Sequence, residues 1–155
     1  MASRRNSINM TEAEVIAYLE SQKILNVATI GPSGYPHLVA MWYAFIDGKL
    51  QFWTFGKSQK IQNLRRDAKM TGLVESGESY NELKGVEIVG TGRIIDDHDR
   101  VLAIGKAVAV RYNGPGAVSE AALPFIEAQA HKRLGVEFEI ERLVSWDHTK
   151  LGGVY

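Results

Sequence analysis

Apolar and polar positions along the chain fall into about six strand-like runs and three or four short helical ones. TEAEVIAYLESQ, from Thr11, sets Val15, Ile16 and Leu19 at helical spacing, and Thr11 with Glu14 has the form of a capping box. Residues 24–30 are largely apolar with β-branched members and predict a strand, closed by the turn signal Gly31-Pro32-Ser33-Gly34. The run over 35–46 then breaks the usual alternation. One face carries His37, Val39, Met41, Tyr43 and Phe45, the other Leu38, Ala40, Trp42, Ala44 and Ile46. A half-exposed strand would show one polar face, so both sides need cover: a barrel interior on one, and a helix, ligand or second subunit on the other.

Asp47-Gly48 between this run and 50–55 predicts a two-residue hairpin, because both turn positions tolerate positive φ. Counting outward pairs Ile46 with Lys49, Phe45 with Leu50, Tyr43 with Phe52, Trp42 with Trp53 and Met41 with Thr54. Ser58 is placed to cap a helix that Ile61 and Leu64 dock on the sheet. Strands follow over 70–75 and 86–95, the second with Gly90 and Gly92 leaving room for a bend or bulge. Asp96-Asp97 can cap a helix over 98–110, and another follows Ser119 with Pro124 near its first turn. In the last strand, 134–147, Val136, Phe138 and Ile140 alternate with Glu137, Glu139 and Glu141.

A lone antiparallel sheet would expose two edges, and a small closed or split barrel removes them. The expectation is therefore one mainly β domain over residues 11–148, a six-stranded antiparallel split barrel with short helices. Residues 1–10 are expected as a flexible head and 149–155 as a short tail.

Charge narrows the function. Eighteen basic and eighteen acidic residues cancel, which argues against nucleic acid or a membrane surface as partner. There is no cysteine, so thiol and iron–sulfur chemistry are excluded; with no signal peptide or membrane-length apolar run, a cytoplasmic protein is expected. His37, His98, His131 and His148 show no metal spacing, and no metal is assigned. No nucleotide P-loop, Rossmann glycine motif or nucleophile elbow occurs.

Positive charge is concentrated after residue 56, in Lys57, Lys60, Arg65, Arg66 and Lys69. Lys57 and Lys60 flank Ser58 at a helix start, where free N–H groups and the helix dipole favour phosphate. A solvated charged loop is the plain alternative. Trp42 and Trp53 read as a cross-strand pair; Met41, Tyr43, Thr54 and Phe55 are better placed to meet the edge of a planar ring.

The run MWYAFIDGKLQFWTFGKSQKIQNLRRDAK, followed by LKGVEIVGTGRIIDD, resembles the pyridoxamine 5′-phosphate oxidase-like split-barrel family, in particular its flavin/deazaflavin oxidoreductase branch. The likeness spans roughly residues 11–146. It implies a homodimer with the cofactor at the subunit interface and a small-molecule substrate. The phosphate of the deazaflavin F420, or alternatively of FMN, would lie on Lys57, Ser58, Lys60 and Arg65. The ring would lie along Met41, Trp42, Tyr43, Thr54 and Phe55. Trp146, His148 and Lys150 would come from the second subunit. The implied activity is hydride transfer between F420 and a planar unsaturated compound; a non-catalytic carrier of flavin, F420 or haem is the other class. The ring performs the chemistry, so no side chain is named catalytic, although His37 and Tyr43 are candidate proton donors.

Overall fold

Seven strands form one antiparallel sheet in the computed structural model, which describes residues 4–152. The termini beyond them, residues 1–3 of the expected head and 153–155 of the expected tail, lie outside the described residues. In chain order the helices and strands are α1 (Arg4–Ser7), α2 (Glu12–Ser21), β1 (Leu25–Ile30), β2 (Pro36–Met41), β3 (Ala44–Ile46), β4 (Lys49–Phe55), α3 (Gln59–Arg66), β5 (Lys69–Ser76), β6 (Lys84–Ile95), α4 (His98–Asn113), α5 (Leu123–Ala130) and β7 (Arg133–Asp147). The sheet order is β2-β1-β5-β6-β7-β4-β3.

That order dictates curvature. The two end strands, β2 and β3, are joined by Trp42 and Tyr43 alone, a link of roughly 11 Å at most, whereas a flat seven-stranded sheet would hold its ends roughly 29 Å apart. The sheet must curl into a split barrel. Inside lie Leu25, Val27, Leu50, Phe52, Val74, Val86, Ile88 and Val136, all at most 1% exposed. A second cluster, Val101, Ile104 and Val108 with Ile95 and Ala44, seats α4 on the outer face.

The hairpin register holds only where β3 exists. Ile46 faces Lys49 and Phe45 faces Leu50, but the next pair is Ala44–Gln51 and the ladder ends there. Asp47 and Gly48 both take positive φ, 51° and 74°, as the turn requires. The expected pairs Tyr43–Phe52, Trp42–Trp53 and Met41–Thr54 are absent. Met41 instead faces Leu25, and Thr54 faces Leu134. The expected strand over 35–46 is thus two strands on opposite ends of the sheet, and the count is seven rather than six.

Local signals shape the remaining elements. Thr11 and Glu14 form the reciprocal capping box, and the Asp97 carboxylate accepts from the Arg100 N–H. Ile61 and Leu64 dock α3, while buried Asn63 donates to the Thr29 hydroxyl. The β6–β7 register shifts at Val89/Gly90; a Cβ on Gly90 would lie 2.0 Å from the Glu139 carbonyl oxygen, so the bulge accepts only glycine without movement. The end of the expected flexible head is held in place. Ile8 accepts from the Asp147 N–H, the Met10 N–H donates to Ser145, and Met10 is buried. Among the described residues no helix is long and apolar enough to cross a membrane.

Candidate functional site

β4 runs out of the barrel into α3, and this junction gathers the polar part of the site. Thr54 is the last inward-facing residue of β4 and is buried. One turn of chain later, the Lys60 ammonium donates to the Thr54 hydroxyl at 2.9 Å. The Ser58 and Thr54 hydroxyls are 3.4 Å apart. Ser58 stands at the N-cap of α3, yet its side chain makes no capping bond. The Ser58 N–H donates to Phe55, and those of Ile61 and Gln62 donate to Ser58. The N–H groups of Gln59 and Lys60 have no acceptor among the described residues.

Lys60 is 9% exposed and has no carboxylate within ion-pairing distance among the described residues. The charged group that acts on it is another cation. Burial, and after it the charge of Arg133, holds the Lys60 pKa below its ordinary value. Burial likewise lowers that of Arg133. Two partly desolvated cations side by side are unfavourable, and an anion between them would relieve both.

Arg133 joins this corner to an apolar cleft. It pairs across the sheet with Phe55, and its guanidinium lies 4.7 Å from the centre of the Trp53 ring. The cleft holds about 580 Å³ and is lined by Met41, Trp42, Trp53, Gly105, Val108 and Arg133 among others. Gly105 lets α4 approach Trp53: a Cβ there would come within 2.5 Å of the ring. Gly105→Ala is expected to push the indole toward the cleft. About 1 kcal/mol of helix propensity is gained and about 2 kcal/mol lost to overpacking, for a net loss of about 1 kcal/mol. Urea unfolding followed by tryptophan emission measures both effects.

The structure brings Thr54, Ser58 and Lys60 together, with Met41 and Trp42 in the adjoining cleft. Phe55 is half exposed beside Arg133; Lys57 and Arg65 are exposed, Arg65 in the last turn of α3. Tyr43 is elsewhere. It is wholly buried, its hydroxyl donates to the Leu19 carbonyl at 2.6 Å, and burial pushes its pKa up to about 12. It therefore offers no surface to a ring and no proton to the cleft at neutral pH. His37 does not line the cleft either. Trp146 packs on Gly85, and Lys150 pairs with Glu14 at 2.7 Å. Trp146 is separated from Leu134, the partner of Thr54, by roughly 40 Å of strand contour in β7. His148 Nδ1 lies 2.7 Å from the Tyr80 carbonyl oxygen at that same end of the sheet.

Arg133 was not singled out from sequence. Arg133 opens the last strand, but nothing local marks it as the neighbour of Phe55. Its pairing is set by the closure of β7 on β4.

Residues 11–147 match the sequence model of the family described as Pyridoxamine 5′-phosphate oxidase. No curated protein matches the chain. Among solved structures, the chain is similar to the conserved hypothetical protein Rv2991 from Mycobacterium tuberculosis: 40% identity, a TM-score of 0.91, and coverage of 99% of this chain and 95% of that one. An F420 reductase is 24% identical with a TM-score of 0.63, over 82% of this chain and 93% of that one. HutZ, the heme storage protein from Vibrio cholerae, is 13% identical with a TM-score of 0.67, over 86% and 94%. The last two likenesses bear on the fold alone.

Proposed function

Because the chain belongs to the pyridoxamine 5′-phosphate oxidase family, we propose that it is an F420-dependent oxidoreductase that moves a hydride between the deazaflavin and a planar unsaturated organic substrate. The observation that carries the reading is Lys60: a buried ammonium that, among the described residues, has no acidic partner, at a helix start with two unused N–H groups, under the influence of a second cation. Surface lysines are common, but a partly desolvated lysine facing an arginine has a cost that a bound anion offsets.

The residues fit a phosphorylated planar cofactor. Lys60, Ser58, Thr54 and the Gln59 and Lys60 N–H groups would hold its phosphate, with Arg133 completing the charge. Lys57, exposed on the approach, adds to the local positive potential. Met41, Trp42 and Trp53 would flank the ring and keep water from it, and Phe55 would border its entrance. When bound, the deazaflavin supplies the hydride-accepting and hydride-donating centre. The chain's part is to bind, orient and dehydrate.

A homodimer belongs to the proposal. Trp146 and Lys150 can reach the cleft only from a second copy, and Tyr35 and Leu38, at the start of β2, leave apolar surface 80% and 65% exposed.

Titration of the purified protein with F420 and with FMN tests the reading. Micromolar binding of F420, with reoxidation of the reduced form by a panel of enones and quinones, is expected. Binding of FMN alone overturns the cofactor choice, and binding of neither overturns the enzyme reading. Binding without turnover assigns the protein to the carriers.

A further inference from the structure

We propose that Tyr112, which does not itself line the cleft, is the positioning residue of the site: it fixes Trp42 as a stacking platform for a planar ligand. The need for such a residue arises from the barrel closure. At Trp42 and Tyr43 the chain leaves one end strand and has not yet joined the other, so neither backbone is held by a ladder. A two-residue link of this kind would let a large side chain swing, because nothing in the sheet sets its direction.

Tyr112, near the end of α4, contacts both residues of the link. Its hydroxyl accepts the Tyr43 N–H at 3.0 Å and donates to the Lys23 carbonyl at 2.6 Å. Its ring lies against the Trp42 indole, centroids 4.3 Å apart and planes within 11°. The link, the end of α2 and α4 are thus tied through one side chain. Arg111 braces the same junction by donating to the Leu19 and Gln22 carbonyls, and the Lys23 ammonium closes it on the Arg111 carbonyl.

Trp42 lines the cleft and Tyr112 does not, so Tyr112 stands behind the indole. Trp42 remains 48% exposed although Tyr112 stacks on it. A half-exposed indole backed by a second ring and anchored on both sides is preorganised for stacking, and binding then costs little side-chain ordering. The identity of the ligand rests on the function proposed above. The fixing of Trp42 does not.

Two variants separate the ring from the hydroxyl: Tyr112→Phe keeps the stack and loses the hydrogen bonds, and Tyr112→Leu loses both. Each is measured alone and with Trp42→Phe, so that the difference isolates the Trp42 emission from that of Trp53 and Trp146. In the ligand-free protein, Tyr112→Leu is expected to raise acrylamide quenching of the Trp42 component by about twofold, while Tyr112→Phe leaves it near the wild-type value. Unchanged quenching in Tyr112→Leu, or an equal rise in both variants, overturns the positioning role.

The second readout is the dissociation constant for F420 and FMN. For whichever one the wild type binds, Tyr112→Leu and Trp42→Phe are each expected to weaken binding about tenfold, and the double variant no more than either alone. Additive losses mean that Tyr112 acts without Trp42 and overturn the proposal. If the wild type binds neither, the functional reading fails and the quenching measurement still decides the role of Tyr112.

Discussion

Lys60→Ala is expected to weaken cofactor binding by about 1.5–3 kcal/mol, roughly 10- to 150-fold, because it would remove the charge-assisted phosphate contact proposed above. The same change should not unfold the protein. Among the described residues Lys60 makes one side-chain hydrogen bond, to Thr54, and has no carboxylate that its loss would strand. Deleting a cation from beside Arg133 removes repulsion and desolvation together, so the stability of the free protein should stay within about 1 kcal/mol of wild type or rise. A loss of affinity with stability retained therefore separates a ligand contact from a folding role. The pH dependence has a matching sign. With its folded pKa held below the ordinary 10.5, Lys60 sheds its proton in the folded state before the unfolded one. The unfolded chain then binds more protons over that window, and stability rises with pH through it. Lys60→Ala should abolish that rise, and denaturant melts across the alkaline range measure it.

Glu137→Ala is expected to destabilise the fold by about 2–3 kcal/mol. Glu137 is a carboxylate in the first half of β7, 2% exposed, and three donors and a further cation converge on it. Gln51 lies at 2.8 Å, Arg93 at 2.6 Å, Lys49 at 3.2 Å and Arg100 at 3.6 Å. The pairs join β4, β6 and the start of α4 to β7. Removal leaves the buried Gln51 amide without its acceptor. Lys49, Arg93 and Arg100 have side chains 59%, 45% and 47% exposed and can turn to water, which keeps the cost below that of a fully buried ion pair. Neighbouring Glu139, also paired with Arg93 but with its side chain 53% exposed, is the control: Glu139→Ala should change stability by about 0.5 kcal/mol or less.

Acid makes the same point. Burial alone would raise the Glu137 pKa, but hydrogen bonds from Arg93 and Lys49 outweigh it and hold the carboxyl below its ordinary 4.5. Its contribution is present in full above the unfolded value and is lost as pH falls from about 4.5 through the folded value. Asp147, held low by Thr149 and Lys84 against its own burial, adds to this acid limb. Glu137→Ala should flatten the limb without removing it, as chemical denaturation between pH 7 and pH 3 will measure.

Much of this fold is legible because its cues are local. Asp47-Gly48 needs positive φ at both positions and takes it, Thr11 and Glu14 cap one helix, and Gly90 marks the bulge. The break at Trp42 and Tyr43 is not legible. Counting register from the turn assumes that a strand continues, and here it ends after Ala44 because the barrel must close. The contacts that settle it are distant in sequence: the Tyr43 hydroxyl on Leu19 and Gln22, and its N–H on Tyr112. The site divides in the same way. The Thr54–Lys60 corner follows from a strand running into a helix, so its residue types could be read in order. The burial of Lys60 and the presence of Arg133 could not, since both depend on how β7 closes against β4. Ser58 shows the limit of motif reading: it occupies the cap position, but its hydroxyl is left for Thr54 or a ligand.

The central claim, that the corner of Thr54, Ser58 and Lys60 beside Arg133 receives a cofactor phosphate, is tested most directly by a cycle. Wild type and Lys60→Ala are each titrated with the phosphorylated cofactor and with the same ring system lacking phosphate. The loss caused by Lys60→Ala should be about 1.5–3 kcal/mol for the phosphorylated form and near zero for the other. Equal losses for the two forms, or none for either, would contradict it.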